Sequence, residues 1–418
     1  MYHTVRQQAK HLSRQQYEIL RDLTHAAKNL YNCAVYAIRQ HYFSTRQYLR
    51  YESVYGLLKR SPEYKALNSN MAQQILKEAD GAFRSFFGLL KLAAAHKYDY
   101  RDIRIPGYLP KDGHMALVVG MIRTSGGVFT LPVSNGWKKA NPGAPAVSFR
   151  MPPVLDGKRL KEIRIIPRSD ARFFEVQYTY EEETAVHALD TDKALAIDLG
   201  VDNLMACADS EGHAFIIDGR AAKARNQWYN RQAARLASVK AKQGIKGMTK
   251  RMEALRHKRA CYMNDYMSKA ARIVTDYCLS NGIGVLVLGY NPCFQRKVAL
   301  GKTAKQGFLM LPYGKLRDKL EYLCQCNGIR FAEQEESYTS RADFFSRDRI
   351  PVYKPGGSAG YVFSGKRIHR GMYRSGTGML LNADINGALN ILNKSSVVGL
   401  TALYSRGGVD TPARIRVA

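Results

Sequence analysis

The sequence has few acidic residues relative to basic ones. Of its 418 residues, 64 are Lys or Arg and 35 are Asp or Glu, which gives a formal net charge of +29. This imbalance argues against an ordinary enzyme of small metabolites and indicates a polyanionic partner, either nucleic acid or an anionic membrane. The sequence also lacks a run of about 18 apolar residues that would span a bilayer, and its start, MYHTVRQQAKHLSRQQ, has no apolar core of a secretory signal. We therefore expect a cytoplasmic protein that binds nucleic acid and no membrane.

Cysteine is sparse and irregularly spaced. The seven cysteines form no Cys-x-x-Cys pair, and none lies between residues 327 and 418. This pattern fits reduced thiols in a cytoplasm rather than a disulfide framework. The close pair Cys324 and Cys326 lies in an apparent helix and is more typical of helix packing than of a metal site.

The pattern of the chain changes twice along its length. Apolar residues recur at steps of three and four over residues 12–50, with Ser13 as a candidate N-cap, and over residues 69–96, which predicts two long helices. From about 100 to 185, Gly, Pro and Asn separate short alternating runs that predict antiparallel strands in a small barrel or sandwich. From residue 193 the pattern is strand, turn, strand, turn, strand, followed by helices and further strands. The expected fold class is multidomain α+β.

Basic residues cluster in the helical segment from 220 to 259, which contains one acid, Glu253. A like-charged run is usually a solvated surface, but the shortage of acids here favours phosphate contacts. A Gly-rich loop at about 350–380 contains further basic residues near its end. The candidate nucleic-acid-binding residues are Arg225, Arg231, Arg235, Lys250, Arg251, Arg256, Arg259, Arg370 and Arg374.

Three acidic residues lie at comparable places in the pattern. Asp198 ends a strand in AIDLGVDN, Glu336 ends another in AEQEESYTS, and Asp384 begins a helix in NADINGALNI. Each has an ordinary alternative, such as a turn residue before Gly or an acid favoured by the helix macrodipole. Together, the order strand-Asp, strand, strand-Glu, helix-Asp is that of an RNase H-like nuclease core.

Acids brought together in so basic a chain need a compensating cation. Mg²⁺ prefers hard carboxylate oxygens and keeps waters for substrate phosphates. Two such ions about 4 Å apart activate a water on one side of a phosphodiester and stabilise the leaving oxygen on the other. Asp198, Glu336 and Asp384 are therefore the candidate catalytic residues and Mg²⁺ ligands.

Several segments resemble the motifs of one family. AIDLGVDNLMA resembles the first RuvC motif of the transposon-encoded TnpB proteins, and LLNADINGALNIL resembles their third. LYNCAVY, HKRACYMNDYMSKAARIV and ESYTS also resemble that family in the same order, so the likeness covers nearly the whole chain. TnpB proteins, like the related type V CRISPR effectors and Fanzors, are RNA-guided DNA endonucleases.

The resemblance implies a function and its partners. The protein would cleave double-stranded target DNA next to a short adjacent motif by two-metal-ion hydrolysis, directed by a guide RNA (omega RNA) derived from the transposon end. It would be cytoplasmic and associated with the nucleoid when bound to DNA. The sequence leaves monomer and dimer open.

The resemblance also implies a domain order. A helical recognition domain would be inserted in a wedge-like β-barrel domain, and an RNase H-like (RuvC) α/β nuclease domain would follow. The expected segments are residues 11–99 for the recognition domain, 1–10 and 100–185 for the wedge, 190–395 for the nuclease, 337–380 within it in the place of a zinc ribbon, and 396–418 as a C-terminal tail.

The second acid departs from the usual family pattern. Where the second motif has a Glu, this chain has Gly289 or Tyr290. Glu336 is then the expected third ligand, by resemblance to family members that supply this Glu from a later strand. Glu335 is the other candidate, because strand alternation lets one of the two side chains point inward.

The zinc ribbon is the second departure. Asp343 and Ser346 stand where its first cysteine pair would fall, so a tetrahedral Cys₄ site cannot form in this segment. We expect no zinc and no organic cofactor. Aromatic packing would hold the loop instead, through Phe344, Phe345, Tyr353, Tyr361 and Phe363.

Two other functions stay open. The missing Glu at Gly289 suggests a nuclease-inactive, RNA-guided repressor on the same scaffold, although the presence of both Asp198 and Asp384 argues against it. The RNase H-like order also suits a guide-independent transposase or recombinase. Binding without cleavage in Mg²⁺ would favour the repressor, and an RNA that copurifies with the protein would argue against the recombinase.

Overall fold

The chain divides into two units after Glu183, and each has its own hydrophobic core. The computed structural model describes residues 1–183, 187–291, 307–352 and 360–417. Within these ranges no helix combines the length and the apolar character that crossing a membrane requires.

The first unit begins with a strand and continues with helices. Strand β1 and helices α1 to α4 span Tyr2–Gln8, Arg14–Thr45, Tyr51–Leu58, Pro62–Lys65 and Ser69–Ala94. Helix α1 begins at a capping box, in which the Ser13 hydroxyl accepts from the Gln16 N–H and the Gln16 side chain accepts from the Ser13 N–H, at 3.1 and 3.0 Å. The predicted long helices and the Ser13 cap are therefore confirmed, with α1 ending five residues early.

The sheets of the first unit are antiparallel. Strands β2 to β7 span Leu117–Val119, Thr124–Ser125, Val128–Thr130, Ser148–Arg150, Arg159–Arg168 and Phe173–Glu181, and helix α5 spans Asn135–Ala140. One sheet has the order β1-β7-β6-β2 and the other has the order β3-β4-β5. Because β1 pairs with β7, from Tyr2 opposite Glu181 to Gln8 opposite Glu175, the helices α1 to α4 lie in the chain between two strands of one sheet.

A six-stranded mixed sheet organises the second unit. Its strands β8 to β12 span Asp190–Leu199, Asn203–Asp209, Ala214–Asp218, Ile283–Gly289 and Arg330–Gln334, and β16 spans Ala413–Ile415. The order is β12-β11-β8-β9-β10-β16, in which β8, β9 and β10 are antiparallel, and β11 runs parallel to β8 and β12.

Helices flank this sheet, and a small hairpin sheet follows it in the chain. Helices α6 to α10 span Arg220–Lys242, Lys250–Ser280, Tyr313–Cys326, Ala383–Ser395 and Thr401–Arg406. Strands β13 to β15 span Lys366–His369, Met372–Arg374 and Leu380–Asn382. The basic segment that the sequence suggests as one helical stretch is thus two helices, α6 and α7.

Alternation along β8 decides which face carries the first acid. Leu195 and Ile197 belong to the core that includes α7 and α8, whereas Ala194 and Ala196 belong to the core that includes α9. Because successive strand side chains point to opposite faces, Asp198 points toward the α9 face.

The segment 396–418 differs from the expected tail. Helix α10 packs there through Leu403, and β16 adds a parallel edge strand to β10 with Phe215 opposite Ala413. A three-residue strand is too short to show a period-2 pattern in the sequence, and its partner lies about 200 residues earlier in the chain. Only tertiary pairing makes this segment part of the sheet.

Candidate active site

Asp198 lies against helix α9 at the carboxyl end of β8. A Cβ atom added to Gly387 would come within 2.7 Å of Asp198 Oδ2. The glycine of the Asn-Gly-Ala sequence therefore makes room for this carboxylate. Any larger residue at 387 would push the acid or the helix away.

Asp384 lies in the first turn of α9. The Asn382 side chain caps this helix by accepting from the N–H groups of Asp384 and Ile385, at 3.0 and 3.3 Å. The Asp384 carboxylate accepts from Asn203 Nδ2 at 2.6 Å and from Arg367 Nη2 at 3.1 Å. An acid in a first helical turn is favoured by the macrodipole, so the helix start and the two donors fix this carboxylate.

Glu336 and its neighbour Glu335 have separate environments. Strand β12 ends at Gln334, so both acids lie just beyond the strand, which corrects the expectation that Glu336 ends it. Glu335 binds Lys394 and accepts from the Ser337 N–H at 2.7 Å. No such ion pair holds Glu336 in the described part of the chain, and burial, together with the charge of Glu335, raises its pKa to about 7.

The three acids form one electrostatic cluster. Burial, and then the negative charges of Glu336 and Asp384, raise the pKa of Asp198 well above its usual range. Burial and the charges of Asp198 and Glu336 also raise the pKa of Tyr313, whose hydroxyl donates to the Gly200 carbonyl at 2.7 Å. Asp198 thus lies within electrostatic range of acids from two other segments, and the acid beyond β12 that acts on it is Glu336 rather than Glu335.

The cluster does not form a closed set of metal ligands in this arrangement. Among the residues that the structure describes, no three His, Cys, Asp or Glu side chains are grouped closely enough to hold a metal ion. Asp384 is instead bound by Arg367 and Asn203. Three carboxylates that repel one another are nevertheless hard oxygen donors of the type Mg²⁺ takes, so the residues fit this ion in their chemistry.

Gly289 shows why an acid is absent from the neighbouring strand. Leu288 of β11 is opposite Ile197 of β8, so Gly289 lies beside Asp198. A Cβ at 289 would be 2.4 Å from Ile391 Cδ1 and 3.1 Å from the Ile197 carbonyl oxygen. A side chain at 289 therefore requires Ile391 to move, and the candidate third acid, Glu336, lies beyond β12.

Two residues that lie next to the acids were not predicted from the sequence. Asn203 lies in the same AIDLGVDN motif as Asp198, so its place in this motif is a signal by which the sequence could identify it. Arg367 lies on the β13–β14 hairpin and carries no sequence signal, because only tertiary structure brings it to Asp384. The same hairpin brings Arg370 to Asp202, which Lys223 Nζ also binds at 2.7 Å.

The candidate nucleic-acid-binding residues fall into different environments. Arg370 is paired with Asp202, and Arg259 donates to Asn226 Oδ1 and the Met310 carbonyl, at 2.7 and 2.8 Å. Arg225 is stacked between aromatic rings. The others are exposed and have no acidic partner within the described ranges: Arg231, Arg235, Lys250, Arg251, Arg256 and Arg374. Arg259 is thus committed to internal contacts rather than available for phosphate.

A buried carboxylate joins two distant parts of the segment for which the sequence predicts a loop in the place of a zinc ribbon. Asp343 Oδ2 accepts from the hydroxyls of Ser346 and Ser375 and from the Gly376 N–H, each at 2.6 Å. Asp348 accepts from the Ser364 hydroxyl, also at 2.6 Å. Hydrogen bonds to Asp343 therefore connect residues more than 30 positions apart, at the place where the first cysteine pair was missing.

Aromatic packing contributes to this segment less evenly than expected. Phe344 is fully buried and stacks on Tyr404 with ring centroids 4.8 Å apart, and it also meets Phe345 edge to face. Tyr361 contacts Tyr338 but is 45% exposed. Tyr353 lies outside the described residues. The expectation of packing alone missed the role of Asp343.

Comparisons with known proteins match the same segments. The family model described as a probable transposase, OrfB_IS605, matches residues 176–292, and the model described as the Cas12f1-like TNB domain matches residues 313–391. The first match contains Asp198, and the second contains Glu336 and Asp384. The chain belongs to a TnpB-like family.

Solved structures are similar to this TnpB-like protein over most of its length. One is the Cas12f1–sgRNA–target DNA complex, with a TM-score of 0.58 and 14% identity, covering 92% of this chain and 84% of that one. Another is the mini-RNA-guided endonuclease Cas-phi3, with a TM-score of 0.40 and 10% identity, covering 95% and 92%. The TnpB-like chain therefore shares the multidomain α+β fold of Cas12f1. No curated protein matches it.

Proposed function

We propose that this protein is an RNA-guided DNA endonuclease that cleaves double-stranded target DNA next to a short adjacent motif. The observation that carries the proposal is that Asp198 lies against the helix that begins with Asp384 in its first turn, within electrostatic range of Glu336. These acids come from a strand, a loop after a strand and a helix start, within a chain that has a net charge of +29. Membership of the TnpB-like family supports the same function.

Asp198, Glu336 and Asp384 would hold the metal in this RuvC-like site. Bound Mg²⁺ would supply Lewis-acid stabilisation of a phosphodiester and activation of water. Gly387 and the Asn382 cap keep Asp198 and Asp384 in place, and the resulting negative field favours divalent cations over bare phosphate. Arg367 neutralises part of this field, because its guanidinium donates to Asp384.

The partners in this proposal are a guide RNA derived from the transposon end and the target DNA. The exposed basic residues of α6 and α7 suit a polyanion because they have no acidic partner within the described ranges. In the first unit, the sheet β1-β7-β6-β2 would serve as the wedge-like barrel, and the helices between β1 and β2 as the recognition domain. These two parts would read the motif beside the target, and guide–target pairing would supply the remaining specificity.

Cleavage of a target plasmid by the protein–RNA complex in Mg²⁺ tests the proposal. Asp198→Ala and Asp384→Ala should reduce cutting by at least about 1,000-fold, as loss of a group that acts as part of one catalytic unit does. Asp265→Ala is the matched control, since Asp265 is an exposed acid of α7 that pairs only with Lys269 among the described residues. Undiminished cutting by the Asp198 and Asp384 variants would refute the assignment.

A nuclease-inactive repressor on the same scaffold is the second candidate. The occupation of Asp384 by Arg367 and the absence of an acid at Gly289 favour it. Guided binding of target DNA without cleavage in Mg²⁺ would decide for the repressor. A guide-independent recombinase would instead join strands in the absence of RNA, so sequencing of the RNA that copurifies with the protein separates that third function from both.

A further inference from the structure

One arginine of the second unit lies between two aromatic rings. The Arg225 guanidinium carbon is 4.8 Å from the centroid of the Trp228 ring and 5.1 Å from that of Tyr262. Helices α6 and α7 supply these residues, so their packing fixes the sandwich. The Arg225 Nε is shielded from solvent and has no hydrogen-bond partner among the residues that the structure describes. Stacking thus orients this guanidinium while leaving its hydrogen-bonding capacity unused.

Arg259 provides an internal comparison. Its guanidinium stacks on Tyr229 at 5.0 Å, but its donors are taken by Asn226 Oδ1 and the Met310 carbonyl. Burial lowers the pKa of Arg259, as expected of a guanidinium enclosed in the fold. Arg259 therefore braces the two helices, whereas Arg225 has the same kind of stacking without protein acceptors in the part of the chain that is described.

The acids near the start of α6 are already paired. Asp218 binds Arg220, and Asp202 binds Lys223 and Arg370. Helix α6 itself contains no acid in its 23 residues. Neither these acids nor any residue of α6 supplies an anion to Arg225, and a stacked guanidinium is well suited to a phosphate oxygen of another molecule.

Trp228 indicates which kind of anionic ligand would suit Arg225. Its side chain is 37% exposed, although a large apolar ring is usually buried more deeply. A flat indole face beside a guanidinium suits a ligand that combines planar rings with phosphates. Unpaired nucleotides have this combination, whereas the bases of a duplex are stacked on one another and cannot reach the ring.

We propose that Trp228, Arg225 and Tyr262 form a binding site for single-stranded nucleic acid, in which a base stacks on Trp228 and a phosphate binds Arg225. The inference rests on the proposed function and specifies the form in which the substrate approaches. Arg225 is two residues beyond Lys223 on α6, and Lys223 binds Asp202 in the turn that follows Asp198. Lys223 thus connects the part of α6 that contains Arg225 to the segment that carries Asp198.

Fluorescence of Trp228 in the full-length protein tests the stacking. The chain has two tryptophans, so Trp137→Phe leaves Trp228 as the sole indole. Unstructured oligodeoxythymidine and oligouridine should quench its emission, and the stronger response identifies DNA or RNA as the preferred strand. A duplex should bind with little quenching. Unchanged emission at saturating oligonucleotide, or equal quenching by the duplex, would overturn the proposal.

Affinity for the same oligonucleotides gives a second, independent measurement. Trp228→Ala should weaken binding about 10-fold, the loss expected of one stacked base, and Trp228→Phe should weaken it less. Val239→Ala is the matched control, because Val239 is an apolar residue of α6 that is 47% exposed. Equal affinities of the two alanine variants would contradict the site.

The contribution of the Arg225 charge is tested by the variant Arg225→Gln. Its control is Arg272→Gln, which removes an equal charge from an exposed residue of α7 that is paired with Asp276. Arg225→Gln should lower the slope of log affinity against log salt by roughly 0.7, the value for one phosphate contact of a single strand. Arg272→Gln should leave it unchanged. These measurements need no guide and no cleavage, so absence of nuclease activity would refute the proposed function alone. If the protein is an active nuclease but Trp228 shows no quenching and Trp228→Ala does not weaken binding, the site alone is refuted.

Discussion

The absence of a side chain at Gly387 is what allows Asp198 to occupy its position, since a Cβ there would be 2.7 Å from Asp198 Oδ2. The glycine lies in the middle of α9, where Gly is less favourable than Ala by about 1 kcal/mol. The helix thus retains an unfavourable residue at the point where it meets the catalytic candidate.

Gly387→Ala should separate activity from folding. The helix gains propensity, but the methyl group displaces the Asp198 carboxylate, and a shift of about 1 Å in a reacting group costs about 100-fold in rate. Cleavage rates and thermal unfolding of the same preparation check this expectation. Gly314→Ala in α8 is the control, because a Cβ there meets nothing within 4 Å. A Gly387→Ala enzyme with the normal rate would show that the contact has no consequence.

Removal of Arg367 should strengthen metal binding. Its guanidinium donates to Asp384 Oδ1 at 3.1 Å and competes with a cation for the same carboxylate. The two side chains are 45% and 31% exposed, so this pair contributes modestly, and we expect Arg367→Ala to tighten Mn²⁺ binding by about 2- to 5-fold. Titration calorimetry on the protein without nucleic acid measures this. Arg374→Ala, on the next strand of the hairpin, should leave the affinity unchanged, and an equal effect of both variants would point to net charge alone.

Gly289→Glu should not restore the usual second-motif acid. The new side chain would meet Ile391 Cδ1, and overpacking of a core costs about 1–3 kcal/mol in addition to the burial of a charge. Urea unfolding should therefore show a lower free energy of unfolding for the variant. Combination with Ile391→Ala provides space, so the double variant should lose less stability than the sum of the single changes. Strict additivity would mean that the two positions do not interact.

Asp343 should make the stability of the second unit depend on acid pH. Burial raises the pKa of Asp343, but hydrogen bonds from Ser346, Ser375 and Gly376 outweigh this effect, so its pKa in the folded protein is below the usual value. A depressed folded pKa contributes stability above the unfolded value, about 3.9, and this contribution is lost as the pH falls through the folded pKa.

Asp343→Asn removes that contribution. The free energy of unfolding at neutral pH should fall by about 1.5–3 kcal/mol, the range for hydrogen bonds to a charged group. Below the folded pKa of Asp343 the difference between the variant and the parent protein should shrink. Unfolding curves measured across acid pH check both points, and a difference that stays constant with pH would exclude the Asp343 charge as its source.

The positions of the candidate acids could be read from the sequence more readily than their surroundings. Asp198, Glu336 and Asp384 stand out because each lies at or near the end or start of a regular pattern, but strand alternation could not decide between Glu335 and Glu336, because both lie beyond the end of β12. The structure separates that pair through Lys394, which binds Glu335 from α9. Nothing in the local pattern of residue 394 predicts this contact.

The long helices could be predicted from the sequence because their signals are local. Helix α1 has many periodic apolar positions and a capping box, so its start at Arg14 follows from local residues. Strand β16 has three residues, too few to show a periodic pattern, and only its pairing with β10 makes it a strand.

By itself the sequence determined the excess of positive charge, and it predicted the long helices and the three candidate acids, because composition, periodicity and motif spacing are local properties of the chain. Tertiary structure alone decided that a side chain at Gly289 would meet Ile391, that Arg367 reaches Asp384, that Asp343 joins distant parts of its segment, and that Arg225 lies between Trp228 and Tyr262. Each of these depends on side chains from separate segments approaching within a few ångströms, a distance that packing sets and that no local pattern encodes.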